Sequence, residues 1–524
     1  MAYQRIASFA VPLLFAGAVH AHGVTGLGKV NFANSCSPAV QEKLQDGVAM
    51  LHSFYYSATK RTFEEIAQQD PSCAIAAWGY ASILMSNPLA GTGASPKDAA
   101  DAQTVIEKGR SMGAKTQRER DYLEAVGAYY ENFSGRSERE RQVARAKAYE
   151  ALAAKYPQDD EAQIFYAVYL AGTQLQSDQT YSAWLKAAGI LEQQFKKYPH
   201  HPGVAHYLIH SYDAPPIAQK GLDAARRYAE IAPEAPHALH MPSHIFTRVG
   251  AWADSAATNL RSRDAALKSK DEDGAAHALD YAAYAYLQLA RDDEARRLTN
   301  EVVGYKNFNR AIFTGSYAAA AMPARMALER GEWKAAAQLE PRADKFPFTT
   351  AMTHFARALG AARSGDAASA QKDAERVAAF GAQLREAKNS YWAGEVEVMH
   401  LTAVAWIALA QRDTATALET MRRAADLEDK TEKHIVTPAR LLPARELLGD
   451  MLLELKRPAE ALKEYEASHV REPNRLRGYH GAGLAASQAG DQRKARQYFE
   501  RVVELTANGG PRPEVAQARA WLRN

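Results

Sequence analysis

Two matched pairs of histidines, His206 with His210 and His240 with His244, are the residues of this sequence whose spacing points most directly to chemistry. Each pair has the form His-x-x-x-His, and on a helix residues i and i+4 lie one above the other on the same face. The second pair repeats the first after 34 residues at both positions, so one local structure aims all four imidazoles in one direction. Four imidazoles facing one space are a ligand set for a transition metal. Density supports a common cause. Seven of the sixteen histidines (His200, His201, His206, His210, His237, His240 and His244) fall within one 45-residue window of the 524 residues, where an even spread would place about one. The competing reading is a hydrogen-bonded imidazole network in a metal-free polar groove.

His237, Asp213 and Asp280 extend the set as weaker candidate ligands. Nitrogen ligands with a carboxylate suit zinc, copper or iron, and the sequence supplies no thiolate to narrow the choice. Three ligands on one ion would leave an open position for water or oxygen. Other chemistries lack their residues: there is no G-x-S-x-G elbow, no phosphate-binding glycine loop and no HExxH, whose glutamate the His-x-x-x-His pairs do not carry. Asp213, Asp280 or Glu446 would each serve as a general base, and nothing selects among them, so the sequence leaves enzymatic activity open.

The chain around these residues is ordinary globular material, with 47% hydrophobic and 24% charged residues. A net charge of +3 gives no concentrated basic face and argues against nucleic-acid binding. At the N-terminus Arg5 precedes the apolar run IASFAVPLLFAGAV and the small-residue site Val19-His20-Ala21. Residues 1–21 are therefore read as a secretory signal, with an uncleaved anchor as the alternative, and the mature chain as exported, periplasmic or secreted, without a membrane span. His22 would then be the first mature residue, a flexible and unpaired one. In an oxidising compartment the two cysteines, Cys36 and Cys73, favour a disulfide over two buried thiols.

Helical periodicity begins near Ser37 and strand signals are missing throughout. Gly47 falls where two helices must approach closely, Phe63 follows on the second helix, and Asp70-Pro71 stops it. The same grammar returns at GAWADSAATN, RDDEARRL, GEWKAAAQL, GDAASAQKD, RDTATALETM and GDQRKARQYF. In the last two units Gly449 and Gly483, Ala461 and Ala495, and Tyr465 and Phe499 are each 34 apart. With Pro473, these residues resemble the tetratricopeptide repeat family over most of residues 37–507, and more broadly secreted bacterial repeat proteins of that kind.

The resemblance implies an all-α, right-handed helical-hairpin solenoid with a continuous concave groove. Residues 22–195 would hold irregular repeats, 196–300 the His-rich segment and 301–524 regular repeats, all within one continuous solenoid. It also implies that first helices line the groove. His206 and His210 then take the fifth and ninth places of their repeat, with Asp213 at the twelfth. His240 and His244 take the same two places in the next, with His237 at the second. The next first helix carries His277, Asp280 and Tyr284, and one repeat further on Met322-Pro323-Ala324-Arg325 echoes Met241-Pro242-Ser243-His244, with Arg325 in place of the second histidine. Arg248, Arg325 and Tyr284 would line the groove for an anionic group, and a protein, peptide or small molecule would be its occupant. A metal-free interaction scaffold is the alternative function. Three positions carry particular expectations. His52 should face inward, His200-His201 should be a solvated loop, and Pro242 puts the stacking of His240 on His244 in doubt. Trp78, Tyr281 and Trp392 are expected in the core rather than on a ligand.

Overall fold

The structure, a computed structural model, describes residues 26–307, 309 and 312–524; the expected signal segment and His22 lie outside them. Among the described residues the chain is all helix and loop, without strands, laid out as successive hairpins. Two local devices in the sequence make the hairpins. At the turns a residue takes the left-handed conformation and an aspartate follows it. Gly365 (φ 86°) precedes Asp366, which caps the next helix by accepting from the Ser369 amide, and Gly490 (φ 85°) precedes Asp491, which accepts from the Lys494 amide. Between helices, an aromatic of a second helix sits on glycines of the flanking first helices. A Cβ on Gly79 would lie 2.2 Å from the Phe63 ring, and one on Gly481 would lie 2.3 Å from the Tyr465 ring. These positions accept only glycine, because the interhelical gap is already filled by the ring.

Each first helix packs on its own partner, on the second helix of the preceding hairpin and on the next first helix, as Glu272–Gln288 does against Asp292–Val303, Trp252–Lys268 and Phe313–Glu329. That alternation is the packing of a helical-hairpin repeat. The irregular stretch near residues 87–116 is a long turn followed by Pro96–Met112, capped by Ser95 and packed on Ile75–Leu84. Cys36 and Cys73 are bridged, tying the segment before the first helix to the junction after the first hairpin. One helix, Ser390–Ala410, is long and apolar enough to cross a membrane by length and composition; 61% of its apolar window is buried among neighbouring helices.

The open groove expected from the repeats is altered in two ways. First, the connection between Thr414–Glu428 and Ala444–Glu454 runs as a strap through the interior, with residues 432–439 all buried. Pro438 and Pro443 keep it from becoming helix. A buried loop needs partners for its backbone, and this one finds several. The Glu432 amide donates to the Gln176 carbonyl (2.8 Å), and Tyr281, Tyr317 and Tyr391 donate to the carbonyls of Val436, Ala439 and Glu432, each at 3.2 Å. Second, distant parts of the chain meet. Trp252 donates to the Asn474 carbonyl (2.9 Å), the Gly510 amide to the Ala290 carbonyl (2.7 Å), and Arg471 to Gln179 (2.9 Å). The solenoid is thus filled and closed by its own chain at the level of the histidines.

Candidate functional site

Four helical segments bring six imidazoles together. His206 and His210 stand on Pro202–Ser211, His237 and His240 on Pro236–His240, His244 on Pro242–Val249, and His277 on Glu272–Gln288. The anticipated break at Pro242 is mild: Met241 keeps a right-handed helical conformation, and the His244 amide still reaches the Met241 carbonyl (3.1 Å). Proline occupies the first turn of the second segment, where it has no amide bond to lose. His240 and His244 consequently still meet, edge to face with their ring planes 83° apart and their Nε2 atoms 3.1 Å apart.

The histidines group differently from the single four-imidazole set expected from their spacing. His206, His210 and His237 form one triad and His240, His244 and His277 another, with the ligand atoms within each triad no more than 4.8 Å apart. His206, His210, His240 and His244 are buried, whereas His237 and His277 are half-buried. Burial, the largest influence on all six, pushes their pKa values below the ordinary histidine value, to about 3 for His206 and His277, so they are neutral imidazoles at neutral pH.

Hydrogen bonds from the outer ring nitrogens fix several tautomers. His206 donates from Nδ1 to the His52 carbonyl (2.7 Å), and His244 from Nδ1 to the Asp213 carboxylate (2.8 Å). His240 donates from Nδ1 to Asn259 Oδ1 (2.6 Å); the Asn259 amide nitrogen in turn donates to the Ser255 carbonyl (2.7 Å), which sets the orientation of that amide. In each case the proton is on Nδ1 and the Nε2 lone pair faces inward. His210 goes further: it is 2% exposed and neither ring nitrogen has a hydrogen-bond partner.

The remaining expected residues surround the triads. Asp213 orients His244, accepts from Arg248 Nε (2.9 Å) and lies 3.5 Å from the buried amine of Lys433 on the strap. Burial, followed by the neighbouring Arg248, draws that amine down to about 8. Asp280 pairs with Arg325, which also donates to the Ala439 carbonyl (3.2 Å). Tyr284 accepts from Arg475 (2.7 Å), and Arg475 also binds Glu446 (2.6 Å). Arg248, Arg325 and Tyr284, expected to line an open groove, are instead buried and engaged within the fold, because the strap and the closing C-terminal repeats occupy that side. Trp78, Tyr281 and Trp392 are core residues as expected, with the Tyr281 ring 4.7 Å from that of His240.

A second histidine cluster has the opposite polarity. His201, expected in a solvated loop beside His200, is 3% exposed and caps its helix by accepting the Val204 amide at Nδ1 (3.3 Å). Its Nε2 therefore donates to Glu161 (3.0 Å), and His52 Nε2 contacts the other oxygen of that carboxylate (2.9 Å). Here the histidine protons point at a carboxylate and the set is satisfied. The spacing of the sequence did not disclose Asn259, the His52 carbonyl or Lys433; His277 carries a signal, since it precedes Asp280 by the same three residues by which His237 precedes His240.

Comparison with known proteins adds to the fold. Residues 476–508 match the family model of the tetratricopeptide repeat. Among solved structures, the chain is similar to the human IFIT1 dimer with PPP-AAAA (12% identity, 78% of this chain and 87% of that one, TM-score 0.39). It is also similar to the APC/C hetero-tetramer Cut9-Hcn1 (12%, 92% and 95%, 0.29) and to yeast Tom70 (12%, 92% and 88%, 0.27). No curated protein matches. Helical-hairpin solenoids are suited to holding protein or peptide partners. The series of helical hairpins and its glycine–aromatic packing make this chain an all-α helical-repeat protein whose residues 476–508 match the tetratricopeptide repeat.

Proposed function

We propose that this is an exported metalloprotein that holds a late first-row transition metal through the histidines of its interior. One observation carries the reading: His240 Nε2 and His244 Nε2 stand 3.1 Å apart although both residues hold their proton on Nδ1. Two imidazole lone pairs at that distance repel unless a cation lies between them. Nitrogen ligands about 2.0–2.1 Å from one ion are about 2.9 Å apart at a right angle and about 3.3 Å apart at a tetrahedral one, which brackets the observed spacing. The Asn259 amide, the Asp213 carboxylate and the His52 carbonyl would act as the outer partners that metal-ligating histidines ordinarily have. Zinc, copper and iron are the candidate ions. Three imidazoles would leave a coordination position open, which suits activation of a water or a small ligand. Export is supported by the apolar N-terminal run and by the Cys36–Cys73 bridge.

The second reading, a scaffold clamping a peptide, is supported by the fold class but has to contend with the strap, which already fills the interior beside the histidines. Elemental analysis of the untagged protein, purified from the exported fraction and also after reconstitution with zinc, copper or iron, tests the proposal. Bound metal in the wild type that falls sharply in His240→Ala/His244→Ala, with helix content kept, is the expected result. A wild-type protein that takes up none of the three ions overturns it.

A further inference from the structure

The two triads are built alike. His206 and His210 occupy the fifth and ninth places of one repeat and are joined by His237 at the second place of the next. His240 and His244 occupy the fifth and ninth places of that next repeat and are joined by His277, which precedes the following fifth-place residue, Asp280, by three as His237 precedes His240. The second triad is thus the first moved along the solenoid by one repeat. Each contains two buried imidazoles from one hairpin and one half-buried imidazole from its neighbour.

The six do not collapse into one group. The 4.8 Å spacing that joins the ligand atoms within a triad does not join all six; the triads lie side by side, the ring centroids of His210 and His244 being 5.4 Å apart and those of His237 and His240 5.9 Å apart, both closer than the 6.4 Å between His210 and His237 within the first triad. A single ion bound by His240, His244 and His277 would leave His210 buried with neither nitrogen engaged, the condition in which it stands in the structure. An ion in the first triad engages it. The series ends one repeat later, where the fifth place is Asp280, paired with Arg325, and the ninth is Tyr284, bonded to Arg475.

We infer that the solenoid holds two metal ions in tandem, one in each three-histidine triad, each reached from solvent past its half-buried histidine. This rests on the metal-binding reading above and deepens it. Both sites offer only neutral nitrogen, with no carboxylate or thiolate among the six ligands. That donor set takes copper or zinc in preference to magnesium, calcium or manganese, which prefer oxygen.

The test uses the full mature chain stripped with a chelator, loaded separately with zinc(II) and with copper(II), dialysed, and analysed for metal per chain. Two ions per wild-type chain are expected, one in His237→Ala, one in His277→Ala, and none held through dialysis in the double variant. Because these two histidines are half-buried, the helical circular-dichroism signal of all three variants should match the wild type. One ion per wild-type chain overturns the tandem arrangement while leaving the metalloprotein reading intact. No ion overturns both. Two ions retained by either single variant, or both ions lost together from each, also overturns the assignment of one ion to each triad.

Discussion

At the scale of single residues, the outer hydrogen-bond partners decide what the imidazoles can do. Asn259 is the cleanest handle, because it holds His240 by one hydrogen bond and lies outside the ion-pair network that ties up Asp213. Asn259→Ala frees the His240 ring to turn and to move its proton. Metal affinity should fall about 10- to 100-fold, while the metal-free protein loses only about 1–3 kcal/mol from the unsatisfied Nδ1–H. Competition against a chromophoric chelator reads the first quantity and urea unfolding of the apo-protein the second; unchanged affinity would mean that the Asn259 bond does not orient a ligand. The candidate residues themselves were legible, since the 34-residue echo fixed which face His206, His210, His240 and His244 share. Their partners were not. Asp213 lies beyond the end of its helix, and only the course of the following loop decides that its carboxylate meets His244 Nδ1 as an outer partner.

At the scale of elements, the hairpins follow from marks visible in the sequence and the strap does not. Gly47, Phe63, Gly449 and Tyr465 announce a ring packed on a glycine, and the rings lie there. Gly79→Ala should therefore be costly, since its methyl would sit 2.2 Å from the Phe63 ring; overpacking of this kind costs about 1–3 kcal/mol, and a depressed unfolding midpoint would report it. The strap looks like any loop with prolines, because its burial depends on repeats far away in sequence closing over it. Its root carries a pH dependence. Burial, opposed by Arg440, pushes the Glu428 carboxyl up to about 8. A carboxyl raised in the folded state holds a proton there that the unfolded chain has already released. Its contribution is therefore complete below the unfolded value near 4.5 and is lost as pH rises through about 8. Glu428→Gln keeps an acceptor for the Ala444 amide and removes the titration. The stability difference between variant and wild type should move in the variant's favour between pH 5 and 8 by at most roughly 1.4 kcal/mol per pH unit, and a flat difference across that range would contradict the assignment.

At the scale of the whole molecule, closure distinguishes this chain from an open solenoid. Repeat arrays are held by nearest-neighbour contacts and unfold piecemeal, whereas here Arg475 ties one repeat to residues nearly two hundred positions away. It is fully buried, binds Glu446 at 2.6 and 3.1 Å, donates to Tyr284 at 2.7 Å and lies 2.8 Å from Glu329. Two carboxylates sharing one guanidinium in the interior are stable only while it is present, since burial, joined by the charge of Glu329, raises the Glu446 carboxyl above its ordinary range against the pull of Arg475. Arg475→Met should cost about 3–5 kcal/mol, because it leaves buried acids without a cation. Combining it with Glu446→Gln should recover part of that loss by removing one of the stranded charges, so the double variant should be more stable than Arg475→Met alone. The mode of unfolding should change as well. Because Arg475 joins the C-terminal repeats to the body around Tyr284, its loss should let those repeats melt first, splitting one urea transition into two when followed by circular dichroism. A single, merely shifted transition would mean that the closing contacts at Arg471, Asn474 and Gly510 hold the ends together without it.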